Sequence, residues 1–192
     1  TTTASQIFHM KKEEVTPELR AKAKAVNFGI VYGQGEFSLG QDLGISRKEA
    51  KEYIDMYFEH FSGIKDYMRN NINFAKEKGY VETIFNRRRY VPEIKSSNFN
   101  IRSFGERIAM NMPIQGSAAD IIKIDMVEVY RRLQGKKSKL ILQVHDELLV
   151  EAEKSEVEEV SKIVKESMEN AVKLKVLLKV ELNTGDSWLD AK

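Results

Sequence analysis

A helix with clear start and stop signals lies near the beginning of the chain. Thr16 is a favoured N-cap residue, and Pro17 suits the first helical position, where its missing N–H would have no helical partner. Strong helix formers follow up to Val31. Gly33 is well placed to end the helix, because glycine readily adopts the left-handed conformation that commonly closes one. The sequence therefore predicts a helix over residues 17–31.

Two cations followed by two aromatic rings recur along this helix at intervals of four residues. They are Arg20, Lys24, Phe28 and Tyr32. Each interval advances about 6 Å and turns about 40° beyond a full turn, so they form a stripe roughly 18 Å long. Two cations one turn apart can hold a triphosphate, while the rings can pack on a sugar and stack on a base. An ordinary amphipathic helix with a solvated basic face shows the same spacing, so the spacing alone leaves both interpretations open.

Helical signals continue through the first half of the chain. Ser46 and Glu49 form a capping box. Apolar residues then recur at helical spacing, and they are Ala50, Tyr53, Ile54, Tyr57, Phe58 and Phe61. Another helix is expected over residues 64–78, closed by Gly79, and a strand over residues 80–84.

The second half of the chain predicts helices and then strands. The expected elements are helices over 101–110, 117–133 and 155–174 and strands over 140–144, 148–152 and 176–182. Pro113 and Gly116 are expected to separate the first two helices. Helices that lead into a hairpin indicate an α+β fold, in which a helical part precedes an antiparallel β-sheet packed on helices.

A histidine and two acids, His145, Asp146 and Glu147, lie at or beside the expected hairpin turn. Adjacent carboxylates repel one another unless a cation neutralises them. Oxygen ligands of this kind favour Mg²⁺ or Mn²⁺, and paired ions of this type support phosphoryl transfer. Acidic residues are also common in ordinary turns, so the residues alone leave a plain turn open.

Together, these segments resemble family A DNA polymerases of the bacterial polymerase I type. Residues 20–33 match the pattern R-x3-K-x3-F-x3-Y-G of that family's motif B, and residues 143–147 are similar to its motif C. The resemblance extends over residues 16–192. It implies a helical fingers subdomain over residues 1–100 and the C-terminal portion of a palm over residues 101–192.

The resemblance implies a role for each residue of the helical stripe. Arg20 and Lys24 would hold the triphosphate of an incoming dNTP, and Lys24 would also be a candidate catalytic proton donor to the departing pyrophosphate. Phe28 would lie against the deoxyribose and Tyr32 near the templating base. Phenylalanine instead of tyrosine at position 28 implies a preference for a nucleotide with a 3′-hydroxyl.

The resemblance also implies a metal site of which this chain holds one part. Asp146 would be the principal catalytic ligand of Mg²⁺, or alternatively Mn²⁺, with Glu147 as a weaker contributor. A two-ion site needs a second aspartate, which the family has in motif A, well upstream. No such segment is found in the sequence, so the chain alone is expected not to polymerise DNA and to need the missing N-terminal polymerase region.

Further residues would contact primer–template DNA. Arg107, Asn111 and Gln115 are spaced four apart and resemble the family's duplex-contacting stretch. Amide and guanidinium groups suit the minor-groove acceptors that every correct base pair presents. His145 would face the primer terminus. Without the resemblance, a solvated helix face explains the spacing equally well.

Composition excludes several classes of protein. The absence of cysteine rules out disulfides and thiolate metal sites. No apolar run approaches the roughly 20 residues that span a bilayer, and a secretory signal is lacking, so no membrane partner is expected. A cytosolic protein is favoured, and the resemblance implies a bacterial, nucleoid-associated one. The net charge of +2 leaves any phosphate-binding surface to local clustering.

Three functions follow from these features. The first is template-directed addition of dNTPs to a primer 3′ end, with this chain supplying part of the site. The second is a nucleotide- or DNA-binding fragment without catalysis of its own. The third is a subunit of a split polymerase whose missing region is a separate chain. The opening Thr1-Thr2-Thr3, without an initiator methionine, suggests a fragment or a processed product.

Overall fold

The computed structural model describes residues 2–191, in which five α-helices precede the first of two small hairpins. The helices are α1 (Thr2–Ile7), α2 (Pro17–Val31), α3 (Glu36–Leu43), α4 (Arg47–His60), α5 (Ser62–Lys78), α6 (Phe99–Arg132) and α7 (Val157–Asn170). The strands are β1 (Tyr80–Glu82), β2 (Arg88–Tyr90), β3 (Lys139–Val144) and β4 (Glu147–Glu151). Short 3-10 helices cover Lys12–Glu14 and Pro92–Lys95.

Two compact units divide between Ile114 and Gln115. The N-terminal unit holds α1 to α5 and the β1–β2 hairpin, and the C-terminal unit holds the β3–β4 hairpin and α7. Both sheets are antiparallel and two-stranded. This largely helical chain with small antiparallel sheets confirms the predicted α+β class. No helix among residues 2–191 is both long and apolar enough to cross a membrane.

Helix α2 begins as its sequence predicts. The Thr16 hydroxyl accepts a hydrogen bond from the Leu19 backbone N–H at 3.2 Å, and Pro17 occupies the first turn. The core-facing side of the helix is fully buried, and it consists of Ala23, Val26, Gly29 and Ile30. Because this face is held by packing, the opposite face of α2 is presented outward in a fixed orientation.

The main core of the N-terminal unit forms where α4 packs near α1 and α2. The predicted capping box is confirmed, because the Ser46 backbone N–H donates to Glu49 Oε2 at 2.9 Å and the Glu49 N–H donates to Ser46 Oγ at 3.2 Å. The predicted apolar face of α4 is also confirmed. Ala50 and Tyr57 are buried, and the other predicted residues of that face pack against this core.

The strand predicted over residues 80–84 is shorter than expected and ends at Glu82. Arg88 and Arg89 belong to β2, where they pair with Glu82 and Val81 respectively. A second core cluster packs beneath this hairpin, and it consists of Ala75, Val81, Val91, Ile94, Ile108 and Ala109.

The predicted break between residues 110 and 117 is wrong. Helix α6 continues through Pro113 and Gly116 up to Arg132. A proline inside a helix removes one backbone hydrogen bond at a cost of about 3 kcal/mol. The flanking turns keep their own bonds and bury apolar side chains, including Ala109 and Ile122, which offsets that cost.

The hairpin of the C-terminal unit is confirmed close to its predicted bounds. Val144 pairs with Glu147, so His145 and Asp146 form a two-residue turn. Val129 of α6 and Leu133, which directly follows α6, pack with α7 to form the core of this unit. The apolar α7 residues of that core are Val160, Ile163 and Val164.

The predicted final strand over residues 176–182 is wrong. Residues 171–191, all within the described part of the chain, contain no strand. Val176 and Leu177 are exposed there. An alternating apolar pattern forms a strand only where another strand supplies hydrogen-bond partners, and within the described residues neither hairpin extends to this segment.

Candidate nucleotide-binding site

The outward face of α2 holds the predicted stripe. Arg20, Lys24, Phe28 and Tyr32 are all exposed, and the two rings retain 47% and 46% of their accessible surface. Exposed aromatic residues on a packed helix are available to a ligand, because the core of the unit is filled by the opposite face. The structure thus brings together the four residues that the sequence analysis selected.

The two aromatic rings are already stacked on one another. The ring centroids of Phe28 and Tyr32 lie 6.3 Å apart, with an angle of 17° between their planes. Lys24 Nζ lies 5.7 Å from the Phe28 centroid, within the range of a cation–π contact. Cation and rings therefore form one continuous surface along the helix.

The two cations of the stripe have no acidic partner. Among residues 2–191, neither Arg20 nor Lys24 forms an ion pair, whereas Lys22 between them in the sequence contacts Glu18 Oε1 at 3.1 Å. An unpaired cation can bind a phosphate without first breaking a bond within the protein. Within the described residues, the lack of an acidic partner distinguishes Arg20 and Lys24 from Lys22 on the same helix.

A cavity of about 680 Å³ adjoins the cationic end of the stripe. Its polar lining comes from Thr3, Thr16, Arg20, Lys24 and Asn27. This volume is in the range of pockets for small molecules. Asn27 was missed by the sequence analysis, although its spacing of seven residues from Arg20, two helical turns, would have indicated a shared face.

The turn between β3 and β4 presents two carboxylates to solvent. Gln143 Nε2 donates to the His145 carbonyl oxygen at 2.6 Å, and His145 has a left-handed φ of 53°. In the described part of the chain, the exposed carboxylates of Asp146 and Glu147 have no hydrogen-bond or ion-pair partner. Free hard oxygens at this position suit Mg²⁺.

Within residues 2–191, the metal site predicted at this turn lacks a full set of ligands. No group of three or more metal-binding side chains occurs among the residues that the structure describes. Two adjacent carboxylates therefore fit a divalent cation only in part, and the remaining ligands would have to come from elsewhere.

The predicted DNA-contacting residues of α6 fall on both sides of the unit division. Arg107 is exposed, with its guanidinium carbon 5.9 Å from the Phe104 ring centroid. Asn111 is half-buried, and its Oδ1 receives no hydrogen bond within the described residues. Gln115 is exposed and is the first residue of the C-terminal unit.

Asp125, which the sequence analysis did not select, is the most perturbed acid of the C-terminal unit. It is only 3% exposed, and no donor reaches its Oδ1 within residues 2–191. Burial raises the pKa of Asp125 to about 6 from an ordinary value of 3.8. Its position on α6 has no local signal that distinguishes it from a solvated acid.

Known proteins match this chain over almost its whole length. The family model for DNA polymerase family A covers residues 1–190. DNA polymerase I of Bacillus subtilis is 57% identical and that of Bacillus caldotenax 56% identical, each over 100% of this chain. The chain spans 22% of the length of these relatives.

A solved structure has the same fold. It is described as the POL domain of Pol1 from M. smegmatis in complex with DNA primer–template and dNTP. The two align with a TM-score of 0.95 and 46% identity, over 98% of this chain and 34% of that one. By sequence and by structure, this chain belongs to DNA polymerase family A.

Proposed function

We propose that this chain is the nucleotide-selecting part of a polymerase that adds dNTPs to a primer 3′ end by phosphoryl transfer. The single observation that carries this proposal is the exposed α2 face, where two unpaired cations precede a stacked aromatic pair. Further support comes from relatives named DNA polymerase I and from a similar POL domain that binds primer–template and dNTP.

Each residue of the stripe has a proposed role. Arg20 and Lys24 hold the triphosphate, since they lie one turn apart beside a cavity that admits it. Lys24 also supplies a proton to the departing pyrophosphate. Phe28 packs on the deoxyribose and Tyr32 stacks near the templating base, for which their exposed faces are available.

Asp146 is proposed as the principal Mg²⁺ ligand, with Glu147 as a weaker one and Mn²⁺ as an alternative ion. When bound, such ions neutralise charge on the attacking and departing oxygens. The residues fit this role because their carboxylates are exposed and unpaired in the described part of the chain. The second metal-binding aspartate would come from the N-terminal region of a longer protein, so the isolated chain is proposed to be inactive.

Primer–template DNA is the proposed macromolecular partner. Arg107, Asn111 and Gln115 would contact the minor groove, and His145 the primer terminus. In this proposal residues 1–100 are a partial fingers subdomain, and residues 101–192 are the C-terminal portion of the palm.

A second candidate is a nucleotide- or DNA-binding fragment without catalysis, or one subunit of a split polymerase. Two observations favour it. The stripe and its cavity, which would bind a nucleotide, lie wholly within the N-terminal unit. A metal site for catalysis, by contrast, is incomplete, because no group of three metal-binding side chains occurs in the described part of the chain.

Primer extension with Mg²⁺ tests the proposal. A longer polymerase in which this sequence follows an N-terminal polymerase region, called the parent polymerase, is compared with the 192-residue chain alone. We expect extension only by the parent and its loss in Asp146→Ala, while Glu158→Ala, at an exposed acid on α7, keeps full activity. Extension by the chain alone contradicts the proposed incompleteness, and extension by Asp146→Ala contradicts the metal assignment.

A further inference from the structure

One side-chain hydrogen bond joins α4 to the helix of the stripe. The Tyr57 hydroxyl donates to Asn27 Oδ1 at 2.7 Å. Tyr57 is only 1% exposed, and its ring is fixed against Phe58 and Phe61, with centroids 5.8 and 4.9 Å away. A donor this constrained fixes the orientation of the amide that it contacts.

Burial also sets the direction of this bond. It raises the pKa of the Tyr57 hydroxyl, which therefore stays protonated and remains a donor at neutral pH. If the Asn27 amide were reversed, Tyr57 would have to accept, and its own proton would lose its partner in a buried site. A buried donor without a partner loses its hydrogen bonds to water without replacement, so this reversed arrangement is unfavourable.

The amide nitrogen of Asn27 is therefore left for another partner. Within residues 2–191 no acceptor binds its Nδ2, and Asn27 lines the cavity together with Arg20 and Lys24. On a helix, position 27 is one turn from Lys24 and two turns from Arg20, so the three side chains lie on the same face. An amide NH₂ and two cations thus present only hydrogen-bond donors to one space.

We propose that Asn27 is a further phosphate-binding residue of the nucleotide site and that Tyr57 is its positioning residue. This inference rests on the proposed function and extends it by one contact. Nδ2 donates to an oxygen of the triphosphate held by Arg20 and Lys24, while the buried hydroxyl keeps Oδ1 turned away from that anion.

Removal of the amide tests the phosphate contact in the parent polymerase. A hydrogen bond to a charged group contributes about 1.5–3 kcal/mol, so Asn27→Ala raises the KM for dNTP by roughly 10–100-fold. Inhibition by inorganic tripolyphosphate weakens by a similar factor, because the contact is to phosphate and not to sugar or base. The Kd for primer–template stays the same.

Asn27→Asp removes the donor but keeps an acceptor for Tyr57. The packing between α2 and α4 is retained, while a carboxylate now faces the triphosphate. We expect a larger loss of tripolyphosphate affinity than in Asn27→Ala, with an unchanged melting temperature. Equal tripolyphosphate affinity in wild type and Asn27→Asp overturns the proposed contact.

Removal of one hydroxyl tests the positioning role. Tyr57→Phe raises the KM for dNTP by a few-fold with little change in kcat. In the Asn27→Ala background the same substitution leaves the KM unchanged, because the amide that Tyr57 orients is already absent. Tyr53→Phe is the matched control on the same helix, because the Tyr53 hydroxyl makes no hydrogen bond within the described residues. An equal effect of Tyr57→Phe in both backgrounds shows packing alone and overturns the positioning role.

Calorimetric titration of the parent polymerase with tripolyphosphate separates this inference from the proposed function. If the wild-type parent binds tripolyphosphate but extends no primer, the polymerase proposal fails and the Asn27 contact is still measured. If it extends primers and Asn27→Ala binds tripolyphosphate as wild type does, only the inference fails.

Discussion

Gly33 lies directly against Arg107 at the end of α2. A Cβ at Gly33 would lie 2.9 Å from Arg107 Cγ and 2.6 Å from Met110 Cε, and the φ of Gly33 is +73°. The close approach and the left-handed backbone both require glycine, directly after Tyr32 of the stripe. Two side chains of α6, Arg107 and Met110, thus pack against the residue that directly follows the stripe.

Gly33→Ala is expected to destabilise the chain by about 1–3 kcal/mol, because it adds backbone strain and a steric clash. Chemical denaturation of the chain measures this change. Gly63→Ala is the matched control, since Gly63 lies in α5, has open space around its Cα and has no left-handed φ. It should stabilise the chain by about 0.5–1 kcal/mol. A Gly33→Ala variant as stable as wild type would show that this contact is readily relieved.

Lys24→Ala is expected to lower kcat/KM for dNTP in the parent polymerase by at least 100-fold, because in the proposed function Lys24 stabilises the developing charge of the leaving group. Lys22→Ala should stay within about twofold, because Lys22 pairs with Glu18 and lies outside the stripe. Single-nucleotide incorporation kinetics measure both variants. Equal effects of the two substitutions would indicate a general charge effect and contradict a specific triphosphate contact.

The free energy of unfolding of the chain is expected to depend on pH through the buried Asp125 carboxyl. Burial raises the pKa of Asp125 to about 6 in the folded chain, so folding favours its protonated form. Its contribution is fully present below its ordinary pKa of 3.8 and is lost as pH rises through about 6. Asp125→Asn cannot ionise, so it should be more stable than wild type at pH 7.5 by on the order of 2 kcal/mol.

The measurement for Asp125 is urea denaturation of wild type and variant between pH 4.5 and 8. The difference between them should grow with pH and level off above pH 7. Glu158→Gln, at an exposed acid, serves as the control and should show a constant difference. A constant difference for Asp125→Asn as well would mean that this carboxyl titrates normally.

Arg132 joins α6 to α7 within the C-terminal unit. Its guanidinium donates to Glu166 Oε2 at 2.8 Å, to Ser167 Oγ at 3.1 Å and to the Ile163 carbonyl oxygen at 3.4 Å. Arg132→Lys keeps the charge but loses the planar fork, and it should lower the Tm by about 2–4 °C. Arg131→Lys, at an exposed neighbour, should leave the Tm unchanged in the same calorimetric scan. A similar Tm for both variants would show that the fork contributes nothing.

Local signals in the sequence predicted the elements that depend on neighbouring residues. The N-cap at Thr16, the capping box at Ser46 and the hairpin around His145 each involve groups a few residues apart. The stripe from Arg20 to Tyr32 belongs to the same class, because helical periodicity alone places its side chains on one face. The fold class and the shared exposed face of the stripe could therefore be predicted.

Only the tertiary structure decided the features that depend on distant groups. Asn27 and Tyr57 are 30 positions apart, and the burial of Asp125 depends on what packs over α6. Pro113 stays within a helix because packing on both sides offsets one lost bond, and residues 176–182 form no strand because within the described residues no neighbouring strand pairs with them. The sequence by itself determined the backbone periodicity and the chemistry of each face. Burial and long-range hydrogen bonding, which arise only when separate segments meet, decided how polar groups such as the Asn27 amide are oriented.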